Sequence, residues 1–202
     1  MADKLSDYVL ERYPDLDMDF LDEHQMDPEW ARFVMEYHGS ILQLFEEDQI
    51  PEACLWLSCA VGNLGYDMDP GEELDSCNKI ALKITRIGIN TCRLVRVDGY
   101  YMYQHPGYSW LLGRLFLVHA LSLTNIHRHI RSLEYLDAAE NFFRCNDSLF
   151  TASGHAEDNL DRHSYEYCRA KEAEVWYRMS DGVKSRMLIN SLPVHSPIWS
   201  IL

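Results

Sequence analysis

The chain has 202 residues, 47% of them hydrophobic and 25% charged, with a formal net charge of −14. That length and apolar content suffice for a buried core in one domain with a tail, so the sequence predicts a globular protein that needs no disulfide scaffold. The longest apolar stretch, Trp110 to Leu123, is interrupted by Gly113, Arg114 and His119, which excludes a membrane-spanning helix.

The first twenty residues alternate charges and lack the basic and apolar regions of a secretion signal. Cys54, Cys59, Cys77, Cys92, Cys145 and Cys168 form no Cys-x-x-Cys pair and are expected to be reduced, mostly buried thiols. Together these features predict an intracellular protein, cytoplasmic or nuclear.

The net charge is unevenly spread. Residues 1–75 carry twenty Asp and Glu against Lys4, Arg12 and Arg32. Residues 76–133 carry eight Lys and Arg against Asp98 alone. The whole molecule repels polyanions while its middle attracts them.

In chain order, Asp3 to Tyr13 reads as a short helix stopped by Pro14. The acidic segment that follows, DLDMDFLDEHQMD, begins with the alternating aspartates of a calcium loop. Phe20 stands where such a loop turns on Gly and Met26 where it needs Glu, so the segment is read as an acidic-apolar linker able to fold against a basic surface. Asp27-Pro28-Glu29 starts a helix that is expected to reach Glu47 and to bury Phe33, Tyr37, Ile41, Leu44 and Phe45. A turn at 48–51 leads to a second helix, 52–63, with Leu55, Trp56 and Cys59 inward.

The most regular pattern lies in 72–97. Lys79, Lys83, Arg86, Asn90 and Arg93 recur at steps of four and three, and Ile80, Ile84, Ile87, Thr91 and Leu94 repeat those steps one residue later. On a helix this sets a basic stripe beside an apolar one. Asp98-Gly99 predicts a two-residue hairpin near 93–104, which would end the helix near Asn90 and place Arg93 on a strand. Residues 108–123 read as a core helix apolar nearly all round. Thr124 or Asn125 is expected to cap a helix over 126–144 with Ile130, Leu133, Leu136 and Phe143 inward and His127, Arg128 and Arg131 outward. A helix over 157–179 buries Tyr165, Cys168, Val175 and Trp176. A last short helix, 183–191, precedes the tail.

The fold class is therefore mainly α, a bundle or irregular array of six to seven helices with a short hairpin. It is divided into an acidic segment 1–27, one helical domain 28–192 and a tail 193–202.

No phosphate loop, nucleophile elbow or His-Glu-x-x-His helix is present. His127-Arg128-His129 with Tyr167 and Lys171 is similar to the metal and tyrosine motifs of rolling-circle replication nucleases. Arg128 replaces the bulky apolar residue of that pattern, and both segments read as helix where the family uses a strand. Ile80 to Gly88 resembles the death-motif helix of apoptosis regulators, but Ile89 replaces its aspartate. His119, His127, His129, His155 and His163 with Cys145 and Cys168 lack the close spacing of a zinc site. The sequence thus predicts no catalytic residue, no cofactor and no metal.

Lys79, Lys83, Arg86, Arg93 and Arg96 are the candidate partner- or anion-binding residues. Ser200 and Leu202 fit the terminal pattern read by carboxylate-capturing domains of the PDZ type. The resulting expectation is a non-catalytic adaptor or regulatory protein whose partner is another protein, with no membrane. The basic stripe could also be clasped by the chain's own segment 15–29. Two other readings stay open: nucleic-acid binding through 79–110, where cations adjoin Tyr100, Tyr101, Tyr103, Tyr108 and Trp110, and a small enzyme with a non-contiguous site.

Overall fold

The computed structural model describes residues 11, 38–64, 72–105, 109–145 and 164–193. Its seven α-helices among the described residues and a single two-stranded hairpin form a mainly-α array, as the sequence predicts. The helices are α1 (His38–Glu46), α2 (Ile50–Leu64), α3 (Glu72–Leu94), α4 (Ser109–Asn125), α5 (His129–Cys145), α6 (Ser164–Arg178) and α7 (Gly182–Asn190). The hairpin pairs β1 (Arg96–Val97) with β2 (Tyr100–Tyr101), and a 3₁₀ turn, Met102–Gln104, follows it. The chain groups into two compact units, Met1–Thr91 and Cys92–Leu202, so the division falls inside α3. The expected first helix at 3–13, the linker 15–29 and the tail from 194 lie outside the described residues, Glu11 apart.

In the first unit α1 packs on α2, burying Ile41 and Phe45 from one and Ala53, Cys54, Leu57 and Val61 from the other. In the second, α4 packs on α5, α5 on α6 and α6 on α7. The core there joins Ala120, Leu136, Ala139, Phe143, Cys168 and Val175. Gly113 permits the approach of α4 to α5: a Cβ at that position would stand 2.7 Å from the rings of Phe142 and Phe143. Close by, Ser132 Oγ donates to Ala120 O at 2.8 Å and shares a 2.7 Å hydrogen bond with Thr124 Oγ1. Both hydroxyls are buried, and these bonds satisfy them.

Three helices end on a residue in the left-handed region that is not glycine: Asp48 (φ 60°), His127 (φ 59°) and Ser180 (φ 65°). At each, the amide of that residue donates to the carbonyl three back and the next amide to the carbonyl five back. The pairs are Asp48 to Phe45 and Gln49 to Leu44, His127 to Thr124 and Arg128 to Leu123, and Ser180 to Tyr177 and Asp181 to Trp176. This is the Schellman closure, usually built on glycine. It lets α1–α2, α4–α5 and α6–α7 connect in very few residues, and it moves two features from where the sequence predicts them. Residues 124 and 125 lie in the last turn of α4 instead of capping α5, and Thr124 Oγ1 bonds back to Ala120 O at 3.1 Å. With α5 starting at His129, Ile130 falls in its first turn and is exposed, not inward.

Candidate interaction surfaces

Helix α3 runs unbroken to Leu94. Its buried positions, Cys77, Ile80, Ala81, Ile84, Thr85, Ile89 and Cys92, repeat at three and four, as an amphipathic helix requires. Thr85 Oγ1 enters that buried face without an orphaned hydroxyl because it donates to Ala81 O at 2.8 Å. Lys79, Lys83 and Arg86 are exposed on the part of α3 that belongs to the first unit. Lys79 Nζ lies 4.0 Å from Asp75, a loose exposed pair that contributes little. Among the described residues no carboxylate stands within salt-bridge distance of Arg86 or Arg93.

Arg93 is helical, not on a strand, and the hairpin is confined to two residues per strand. The tight turn needs no longer strands than these. Asp98 (φ 50°) and Gly99 (φ 85°) both adopt positive φ, the requirement of the tight hairpin turn, and β1 and β2 close it with the pairs Arg96–Tyr101 and Val97–Tyr100. The Arg96 guanidinium lies 4.7 Å from the centre of the Tyr101 ring and donates to its hydroxyl at 3.3 Å. Leu94, 76% exposed, and Tyr100, 62% exposed, are open to solvent, and Arg93 is exposed as well. Of the other aromatic residues in the nucleic-acid reading, Trp110 is half-buried under Arg114, whose guanidinium is 5.0 Å from the ring centre. Tyr108 and the side chain of Tyr103 lie outside the described residues, as do Ser200, Leu202 and the proposed clasp 15–29.

His127 and His129 flank the α4–α5 turn with ring centres 5.8 Å apart. They line a shallow cleft of about 370 Å³ with Arg128, Arg131 and Met179. His129 Nδ1 has no hydrogen-bond partner, and desolvation, with the charges of His127 and Arg178, holds the ring's pKa below its usual value. Tyr167 packs instead on Ala170 and Leu192. Among the described residues no three His, Cys, Asp or Glu side chains are placed to hold a metal ion.

Two features of the structure are not among those expected from the sequence. In the second unit, Glu140 is almost fully buried on α5 and accepts from Arg169 Nε of α6 at 2.9 Å, with Arg144 at 3.5 Å from the same oxygen. Arg169 also donates to Ser191 Oγ, just past α7, at 2.8 Å. Beside them Glu172 lines a groove of about 340 Å³ with Trp176, Lys184 and Met187. Burial, reinforced by Glu140 and Asp137 and opposed by Arg169, pushes its carboxyl up to about 7. Only the fold brings these residues of three helices together.

In the first unit, α1 and α2 form a groove of about 460 Å³ lined by Ile41, Leu44, Glu47, Glu52 and Trp56. Trp56, expected inward, is 39% exposed there. A signal for this surface was present in the sequence: between Arg32 and Lys79 there is no lysine or arginine, against ten Asp and Glu. No protein-family model, curated protein or solved structure matches the chain.

Proposed function

We propose that this is a non-catalytic protein-interaction protein, an adaptor or regulator of the cytoplasm or nucleus, that takes an acidic segment of another protein on the basic face of α3. The observation that carries this reading is the exposed row Lys79, Lys83 and Arg86, fixed on one helix whose other side is buried. At about 1.5 Å rise per residue the row spans roughly 10 Å, short enough for one acidic segment to meet all three cations. Exposed charges of this kind select a partner and speed its encounter more than they hold it. The location is supported by Cys54, Cys77, Cys92 and Cys168, which are buried thiols and not disulfides, as suits a reducing compartment.

The test is affinity capture from cell lysate with the full chain and with its Lys79→Glu/Arg86→Glu variant, at low and high salt and with and without nuclease. Both substitutions lie on exposed positions, and unchanged circular dichroism checks the fold. The expected result is a defined set of acidic proteins retained at low salt by the wild type and lost by the variant. Equal retention by both overturns the reading, and retention abolished by nuclease transfers the surface to nucleic acid.

A further inference from the structure

The geometry points to the α1–α2 groove as a second docking site, for a basic amphipathic helix of another protein. The groove has an apolar floor and an acidic rim. Ile41, 1% exposed, and the half-buried Leu44 form the floor, and the Trp56 ring is partly exposed within it. Indoles are enriched among the residues that carry binding energy at interfaces, because they present a large rigid apolar area at low entropic cost.

The rim decides the occupant. Glu47 accepts hydrogen bonds from the neutral amides of Gln43 at 2.6 Å and Gln49 at 3.0 Å, which orient the carboxylate without neutralising it. Glu52, in the first turn of α2, also lines the groove, and Glu46 is exposed close by in the chain. Neither Glu46, Glu47 nor Glu52 forms an ion pair with a cation among the described residues. With no lysine or arginine from 33 to 78, the local chain supplies no counter-charge of its own. An apolar or acidic segment would leave this rim unanswered or repelled. A helix with apolar anchors three and four apart, flanked by Lys or Arg, fills the floor and answers the rim together. A cation near the Trp56 face adds a further contribution. This surface is distinct from the basic face of α3 and takes a partner of opposite charge, so either site can fail without the other.

The probe is a synthetic fourteen-residue Leu/Lys peptide with leucines at helical spacing, titrated into the full-length, ¹⁵N-labelled chain. Its control is a peptide of identical composition with the leucines scattered around the helix. The expected result is that the amphipathic peptide moves the indole N–H signal of Trp56 while the other four tryptophan signals stay in place. It should also bind at least tenfold more tightly than the scattered peptide. Glu47→Gln/Glu52→Gln should weaken it about tenfold, with the Trp56 signal unchanged in the free protein. Equal binding of both peptides, or movement of other indole signals instead, overturns the proposal by reducing it to attraction between net charges. A Trp56 signal that shifts with protein concentration alone also overturns it, in favour of a second copy in the groove. Trp56 is unaltered in every arm, and the comparison of the two peptides needs no variant.

Discussion

The Arg169 guanidinium donates its Nε proton to Glu140 Oε1 at 2.9 Å and a second proton to Ser191 Oγ at 2.8 Å, so one side chain of α6 is tied to α5 and to the chain just past α7. Glu140 is only 6% exposed. Removing one member of a buried pair is costly because the other is left charged and desolvated. Arg169→Met is therefore expected to destabilise the second unit by about 3 kcal/mol, the low end for such pairs because Arg144 lies 3.5 Å from the same oxygen. Adding Glu140→Gln should restore part of that loss, read as the difference between the two urea midpoints. A double variant less stable than Arg169→Met would show that Glu140 does not depend on this cation.

Two glycines are expected to respond in opposite directions. Gly113→Ala places a methyl 2.7 Å from two phenylalanine rings and should cost about 1–3 kcal/mol through forced repacking. Gly182 begins α7 with nothing within 4 Å of an added Cβ, so Gly182→Ala should stabilise by about 0.4–1 kcal/mol by restricting the unfolded chain. Chemical denaturation of both variants checks the pair.

Ser180 holds φ 65° at the end of α6, a conformation that disfavours any side chain with a Cβ by roughly 1 kcal/mol. Ser180→Gly is expected to raise stability by up to about that amount and Ser180→Val to lower it. A melting temperature that falls on Ser180→Gly would contradict this account of the turn.

Glu172 provides the pH dependence. Its carboxyl titrates near 7 in the folded chain, above its usual 4.5, so the folded state holds more protons than the unfolded one between those values. Stability from this group is complete below about 4.5 and falls as pH rises through 7. Arg169 and Lys184 face the same groove, but only Arg169 opposes the shift, and burial with Glu140 and Asp137 outweighs it. Glu172→Gln is expected to melt above the wild type at pH 8 and level with it at pH 4. A difference that does not shrink as pH falls would exclude this titration as its cause.

The sequence by itself determined the mainly-α class, the hairpin turn and the exposed cations of α3, because each rests on local periodicity or on the conformation of one or two residues. Asp98-Gly99 announces its own turn. The alternation of Lys79, Lys83 and Arg86 with Ile80 and Ile84 can be satisfied only at helical spacing. The three helix ends were less legible, since Asp48, His127 and Ser180 do what glycine usually does, and that displaced the start of α5 and the side on which Ile130 falls. The pairing of buried Glu140 with Arg169, the raised carboxyl of Glu172 and the Trp56 groove were decided only by tertiary structure. A residue's partners and its share of solvent depend on which helices meet. For charges separated by tens of residues, no local period encodes that meeting.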